Sequence, residues 1–565
     1  MIKQISGSQM ISEALHEEGV EIVFGYPGGA ALNIYDETYK QTYFKHVLVR
    51  HEQAAVHAAD GYARVSGKVG VAFVTSGPGF TNAVTGLATA YSDSIPVVLI
   101  SGQVPTFMIG TDAFQEIDAV GISRPCVKHN FLVNSVEELP RIIKEAFYIA
   151  RSGRPGPVHI DIPKNVTSRL GDFVYPKEIS IPSYKPTYKG NSKQIKKAAA
   201  AINEAKRPLL YIGGGAVASN ASEIIRKFMK KTGIPAVETL MALGVLDAKD
   251  KLNLGMAGMH GSYASNMALS ECDLLISLGA RFCDRVTGKT DEFAKHAKII
   301  HIDIDPSSIS KIINAHYPIV GDLTNVLSEL YEEVKGEPKN YAPWREILDR
   351  YQKLNPLGYT DSDKVLKPQW VVEETAKIVG PEAIIATDVG QHQMWVAQFY
   401  PFNRARQLVT SGGLGTMGYG LPAAIGAKCA KPEHLVVNFT GDGSILMNIQ
   451  ELMTAYETNV PVINIILNNN FLGMVRQWQT FFYEKRYSST DLSLQPDFVK
   501  IAEGFGGVGF VCKSKDEFKK ALKEAIKSKK SALIDVRIDR FEDVLPMVPA
   551  GAAIYNMILK SKEEK

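Results

Sequence analysis

The sequence predicts an α/β fold class, with three doubly wound parallel-sheet domains in succession. Short apolar, β-branched runs alternate with helical stretches along most of the 565 residues. Two proline-rich connectors interrupt the alternation. The length suits three or four domains at roughly 100–200 residues each. Continuous apolar strands separated by helices require a parallel sheet covered on both faces.

The first segment opens on MIKQISGSQMISEALHEEGV. Its early acids and lack of an apolar run predict a helix of the folded domain, not a signal peptide. Residues 44–50 (FKHVLVR) predict a strand, and 54–65 a helix. Residues 69–76 (VGVAFVTS) predict a fully buried strand, 80–92 a helix and 96–101 (PVVLIS) another strand. The uncharged stretch 69–92 is long enough to span a bilayer, but Ser76-Gly77-Pro78-Gly79 breaks it into strand, turn and helix. Residues 175–192 predict a linker. A second α/β segment covers 194–335, with strands at 208–212, 273–278 and 298–302. Residues 335–368 predict a second connector with little strand character. The third segment, 369–538, has strands at 383–387, 434–440 and 460–467. Residues 514–530 predict a charged amphipathic helix with a solvated face.

Composition narrows the function classes. The chain has 63 Lys+Arg against 60 Asp+Glu, a formal charge of +3, with 45% hydrophobic and 22% charged residues. That balance is ordinary for a soluble globular protein and gives no electrostatic reason to bind nucleic acid or an anionic membrane. The cysteines are Cys126, Cys272, Cys283, Cys429 and Cys512, far apart and in no CxxC cluster. A reducing, cytoplasmic setting fits them better than a disulfide framework or a structural zinc site.

The stretch LVVNFTGDGSILMNIQELMTAYETNVPVINIILNNNFLGM carries the most chemistry. An apolar strand ends at Thr440, Gly441-Asp442-Gly443 follows, then a helix near 448–458 and a second strand ending at Asn468-Asn469-Asn470. A right-handed strand–helix–strand unit puts both polar clusters at the carboxyl edge of one parallel sheet, where open α/β sheets bind ligands. Asp442 supplies one carboxylate and Asn469 one amide oxygen. That is too little for a calcium cage, and is what Mg²⁺ uses when water and a polyphosphate complete its shell. Gly441 and Gly443 clear the backbone for phosphate oxygens. Asp442 and Asn469 lie 27 residues apart with one helix and one strand between them. This unit resembles the GDG…NN signature of thiamine diphosphate enzymes.

Thiamine diphosphate needs a carboxylic acid beside N1′ of its aminopyrimidine, so that the 4′-imino group can remove the C2 proton. Glu52, after a strand and at a helix start in VLVRHEQAAVHAADGYAR, is the candidate. A helix N-terminal glutamate complementing the dipole is the plainer alternative. The cofactor must also bend into a V over an apolar side chain. The resemblance assigns that support to Met417.

The likeness extends over nearly the whole chain. RHEQAAVHAADGYAR, TSGPGFTN, RSGRPGPVHIDIPKN, HIDIDP, TSGGLGTMGYGLPAAIGA, GMVRQWQ and PMVPAGAAI, with the GDG…NN unit, resemble the large catalytic subunits of acetolactate (acetohydroxyacid) synthases. The resemblance implies a pyrimidine-binding domain at 1–175, a central FAD-binding domain at 190–338 and a diphosphate- and Mg²⁺-binding domain at 366–550. It implies decarboxylation of pyruvate and transfer of the hydroxyethyl group to a second pyruvate or to 2-oxobutyrate, in branched-chain amino acid biosynthesis. It also implies a homodimer or tetramer with the cofactor between subunits, and a separate small regulatory subunit.

The resemblance assigns site residues as follows. Gln115, Lys164 and Phe114 line the substrate channel, and Trp478 shapes the acceptor pocket. Pro78, Gly390, Gln391, His392, Gly415 and Met417 surround the thiamine cofactor. Ser444, Phe471 and Met474 join Gly441, Asp442, Gly443 and Asn469 there, and Phe471 joins Asp442 and Asn469 on the metal. Arg154, Gly213, Gly214, Gly215, His260 and Gly261 belong to the FAD site, as do Gly279, Arg281, Asp303 and Asp322. Cys283 stands in RFCDRVTG, where the family usually has aspartate. Other readings compete: a flavin oxidoreductase of the pyruvate oxidase kind, which shares the three-domain plan, a simple 2-ketoacid decarboxylase, a flavin-free acetolactate synthase and a non-catalytic relative. RPGPV, GMHG and GLGTMGYG favour the flavin-containing biosynthetic type, and Glu52, Asp442 and Asn469 together argue against a non-catalytic relative.

Overall fold

Each α/β segment folds around one six-stranded parallel sheet flanked by helices. The computed structural model describes residues 3–335 and 341–561. In the first domain the strands run Lys45–Leu48, Ile22–Gly25, Gly70–Val74, Val97–Gln103, Val158–Pro163, His129–Leu132 across the sheet. Numbered along the segment, that order is 2-1-3-4-6-5. The third domain repeats it with Leu408–Val409, Ile384–Thr387, Val436–Thr440, Ile463–Asn468, Ala532–Arg537 and Val508–Cys512. The central domain differs. Asn253–Met256, Ala236–Glu238, Pro208–Ile212, Leu274–Leu278, Lys298–Asp303 and Tyr317–Val320 give 3-2-1-4-5-6, the dinucleotide-binding order.

The apolar runs become strands because both sheet faces are covered. Every residue of Gly70–Val74, Val97–Gln103 and Val436–Thr440 is buried. The 69–92 stretch becomes strand Gly70–Val74 and helix Pro78–Asp93. Among the described residues no helix is long and apolar enough to cross a membrane. The charged helix spans Lys515–Ser528, closed by a Ser514–Glu517 capping box, and buries Phe518, Ala521, Leu522 and Ala525.

The structure refines two expectations and corrects a third. The N-terminus begins with strand Lys3–Ser6, paired antiparallel to Leu170–Phe173, before helix Gly7–Glu17. The 448–458 helix is a 3-10 turn at Ile445–Met447 followed by helix Glu451–Glu457. The second connector contains helix Ala342–Leu354, with Trp344 and Leu348 buried on the central domain. Its apolar positions recur with helical spacing, and the Trp344 indole N–H donates to the Pro208 carbonyl at 3.1 Å. The expected boundary at 338 lies outside the described residues.

The first and third domains meet through helices Glu52–Ser66 and Gly420–Ala430. A Cβ on Gly426 would lie 1.9 Å from the Ala58 carbonyl oxygen, so only glycine allows this approach. A buried ion network sits beside the crossing. Arg64 pairs with Asp60 at 2.6 Å and Asp93 at 2.8 Å, and Tyr419 donates to Asp60. Asp93 also accepts the Gly412 and Gly413 N–H groups, so its second oxygen is satisfied.

Candidate active site

In all three sheets the strand order reverses at one point, and the crevice there is the expected ligand site. In the third domain it lies between Ile384–Thr387 and Val436–Thr440. Residues 388–392 leave the first strand, and Gly441-Asp442-Gly443-Ser444 leave the second. Asp442 and Asn469 end neighbouring strands and are 2% and 4% exposed. Burial pushes the Asp442 carboxyl up to about 7, while Gln495 donates to its Oδ2. Asn469 donates to Gln391 Oε1 at 3.0 Å and accepts the Phe471 N–H at 3.1 Å. Gln391 donates to Gln477 Oε1 and to the Glu542 carbonyl.

His392 lies against Gly441. It is 5% exposed, burial pushes its pKa down to about 3, and its Nε2 has no hydrogen-bond partner. A buried imidazole nitrogen without a hydrogen bond is costly, and marks the crevice as one that a ligand completes. The donor set of one carboxylate and one amide fits Mg²⁺. The residues present therefore fit a metal–diphosphate group.

Asp388 was not singled out by the sequence. Its carboxylate accepts N–H groups from Val389, Gly418 and Gly420 at 2.8–2.9 Å, and so clamps the turn that carries Met417. Burial pushes Asp388 up to about 6. Met417 itself is half-buried, and Gly415 stands exposed before it with φ +73°. Helix Gly473–Phe482 begins beside Met474 and carries Trp478 into an open groove of about 630 Å³, shared with Val475, Tyr483 and Arg486.

In the first domain the crevice lies between Ile22–Gly25 and Gly70–Val74. Glu52, the first residue of its helix, is half-buried and reaches helix Pro78–Asp93. Asn82 donates to its Oε2 at 2.9 Å. Asn82 is a second polar residue the sequence did not flag. The Gln115 carbonyl oxygen lies against Gly77, so the loop with Phe114 and Gln115 abuts this edge. Lys164 follows strand Val158–Pro163 on the same edge. Among the described residues Glu52 makes no hydrogen bond to Asp442 or Asn469.

The central crevice lies between Pro208–Ile212 and Leu274–Leu278. Gly213–Gly215 and Gly279–Arg281 cross there, and a Cβ on Gly213 would lie 2.3 Å from Ala280 Cα. Arg154 reaches in from the first domain to Asp305 at 3.3 Å. Burial pushes Asp303 up to about 6, with Arg154 and Arg281 opposing. His301, 1% exposed, makes no hydrogen bond through either ring nitrogen, and its Nε2 lies 3.9 Å from the Asp303 carboxylate. A tight glycine crossing that lets the two loops meet, two arginines and imidazole nitrogens without hydrogen bonds fit a dinucleotide with a pyrophosphate. His260 is buried, its Nδ1 facing the Pro546 carbonyl at 3.2 Å, and Gly261 follows it in the same turn. Asp322 is the cap of helix Leu323–Glu333, accepting the Asn325 N–H. Cys283 is exposed and unpaired.

Comparison with known proteins places this arrangement. Three family models match in order: the N-terminal TPP binding domain of thiamine pyrophosphate enzymes at residues 5–122, their central domain at 195–330 and their C-terminal TPP binding domain at 388–536. The acetolactate synthase large subunit of Haemophilus influenzae is 48% identical over all of both chains. The isozyme 3 large subunit of Escherichia coli is 46% identical, again over all of both. The acetolactate synthase of Mycobacterium leprae is 48% identical over 98% of this chain and 90% of its own.

The chain belongs to the acetolactate synthase large-subunit family of thiamine pyrophosphate enzymes.

As a thiamine pyrophosphate enzyme it has the family's two cofactor-binding domains at either end of the chain and a central domain between them. The first and third crevices are those of the two TPP binding domains. The two TPP binding domains share one strand order.

Proposed function

We propose that this chain is the catalytic large subunit of an acetolactate synthase. It decarboxylates pyruvate and transfers the hydroxyethyl group to a second pyruvate, giving 2-acetolactate, or to 2-oxobutyrate, giving 2-aceto-2-hydroxybutyrate. The end-to-end match to acetolactate synthase large subunits carries this reading. The domain roles follow it: pyrimidine binding at 1–175, FAD binding at 190–338, diphosphate and metal binding at 366–550.

Bound thiamine diphosphate supplies a nucleophilic C2 and an electron sink. The chain supplies the rest. Asp442, Asn469 and the Phe471 main-chain carbonyl would hold Mg²⁺ beside the diphosphate. The Gly441–Ser444 backbone N–H groups would donate to phosphate oxygens, with His392 packed against Gly441. Glu52 holds the proton shared with N1′, and Asn82 keeps its carboxyl aimed. Met417, on the turn clamped by Asp388, supports the bend. Gln115 and Lys164 orient substrate carboxylates in the channel, and Trp478 bounds the acceptor. An indole wall can favour one extra methylene by about 1–3 kcal/mol. The reaction has no net redox step, so FAD in the central crevice is structural.

A homodimer or tetramer completes the site, with Glu52 of one subunit meeting the metal loop of its partner. Phe107 and Phe114, 76% and 87% exposed beside the first cluster, support this. A separate small regulatory subunit and a cytoplasmic setting complete the reading. The test is the product formed from pyruvate, alone and with 2-oxobutyrate, with thiamine diphosphate, Mg²⁺ and FAD added. 2-Acetolactate is expected from pyruvate alone. Acetaldehyde as the sole product, or flavin bleaching by pyruvate without oxygen, overturns it.

A further inference from the structure

One helix of the third domain grips the backbone that delivers Glu52. The 48–51 segment joins strand Lys45–Leu48 to helix Glu52–Ser66. Its Arg50 N–H is bound by the Glu451 carboxylate at 3.0 and 3.2 Å, across 401 residues of sequence. Thr454, one turn further along helix Glu451–Glu457, donates to Glu451 at 2.6 Å and sits 3.4 Å from the Leu48 carbonyl. Glu457 takes the Arg50 guanidinium at 2.7 Å. Residues 451, 454 and 457 lie three apart and so share one helix face. Glu451 is fully buried and Thr454 nearly so. A carboxylate in that position is costly unless its N–H and O–H partners are kept, so the grip is specific in geometry.

The same segment begins at the metal loop. Asp442 precedes Glu451 by one 3-10 turn, and Asn448 between them donates to the Gly418 carbonyl, beside Met417. We propose that Glu451 is a positioning residue: it holds the Arg50 amide so that Glu52, two residues on, presents its carboxyl at the height the cofactor pyrimidine needs. This rests on the role given to Glu52 under Proposed function. In a dimer with crossed sites, Glu451 also ties the Glu52 of one site to the metal loop of the other, because both ends of the link belong to one chain.

Glu451→Gln keeps the shape and removes one acceptor oxygen. Two measurements on it decide the matter. In the cofactor-free protein, deuterium uptake by the peptide covering 49–52 reports the grip. In protein reconstituted with thiamine diphosphate, Mg²⁺ and FAD, acid-quenched NMR of C2 proton exchange reports Glu52 placement. The expected result is faster uptake at 49–52, C2 exchange slowed about 10- to 100-fold, and cofactor affinity within a few-fold of wild type. Unchanged C2 exchange overturns the inference, and so does slowed exchange without faster uptake. Should Glu451→Gln not fold, Thr454→Val is read by the same two measurements and the same outcomes. Glu52→Gln is the reference. If it leaves C2 exchange at the wild-type rate, the reading of Glu52 has failed; if it alone slows exchange, only the role of Glu451 has.

Discussion

Gly426→Ala is expected to force the first and third domains apart at the helix crossing that carries Glu52. The new Cβ would lie 1.9 Å from the Ala58 carbonyl oxygen, with Ala58 C and Cα next at 2.7 and 2.9 Å. Carbon–oxygen contacts settle near 3.3 Å, so the helices must separate by roughly 1.4 Å there. All three obstructing atoms are backbone, and no rotamer change relieves them. Overpacking of this kind costs about 1–3 kcal/mol, and a backbone obstacle belongs at the upper end. Alanine returns about 1 kcal/mol of helix propensity. The net of about 2 kcal/mol lowers Tm by about 4–8 °C for a domain of 150–250 residues. Gly504→Ala is the control. Gly504 ends helix Phe498–Gly504 and has nothing within 4 Å of its would-be Cβ. There the same change is expected to be neutral or to stabilise by about 0.4–1 kcal/mol. Scanning calorimetry of both variants beside wild type is the assay. A Gly426→Ala protein that melts with or above wild type would show that the crossing is not as close as described.

Glu238→Gln tests a buried carboxyl in the central domain. Glu238 is 2% exposed, accepts from the Leu246 N–H and the Asn253 amide, and is pushed up to about 7 by burial. A raised folded-state pKa stabilises below the unfolded value of 4.5 and is lost as pH rises through about 7. Stability lost between pH 5 and pH 8 should therefore shrink in the variant by about 2–3 kcal/mol, read as paired melting curves at the two pH values. Asp388→Asn leaves one acceptor for three N–H groups, at about 1–3 kcal/mol for each one orphaned. It should weaken thiamine diphosphate binding about tenfold or more by calorimetric titration, and unchanged affinity would separate Asp388 from the Met417 turn. Thiamine diphosphate is expected to raise Tm in a Mg²⁺-dependent way, and Asp442→Ala should abolish that rise without lowering the Tm of cofactor-free protein. A preserved metal-dependent rise would place the ion elsewhere.

Local patterns carried most of the architecture in the sequence. Buried strands such as Gly70–Val74 and Pro208–Ile212 are apolar without interruption, because both sheet faces are covered. Helix Ala342–Leu354 went unread although Trp344, Ile347, Leu348 and Tyr351 keep helical spacing. Its charged residues and early proline resemble a connector, and only contact with the central domain reveals the buried stripe. The GDG…NN unit was readable for a different reason: one strand–helix–strand unit contains both clusters, and chirality alone puts them on one edge.

What the sequence withheld depends on contacts between distant segments. Asp388 follows a strand like many aspartates, and its role exists only because the Gly418 and Gly420 amides fold back onto it. Glu451 sits in a stretch whose metal chemistry is obvious, yet its partner is an amide 401 residues away. A composite site asks more of a chain than its ligands do. Glu52, Asp442 and Met417 are useful only at fixed relative heights, and side chains alone do not set those heights. The backbone clamps at Arg50 and at the Met417 turn do, and both are built from buried carboxylates whose burial is offset by the N–H groups they hold. Such carboxylates belong to the positioning of a catalytic group rather than to the chemistry, which is why motif spacing finds the ligands first and the clamps only after the fold is known.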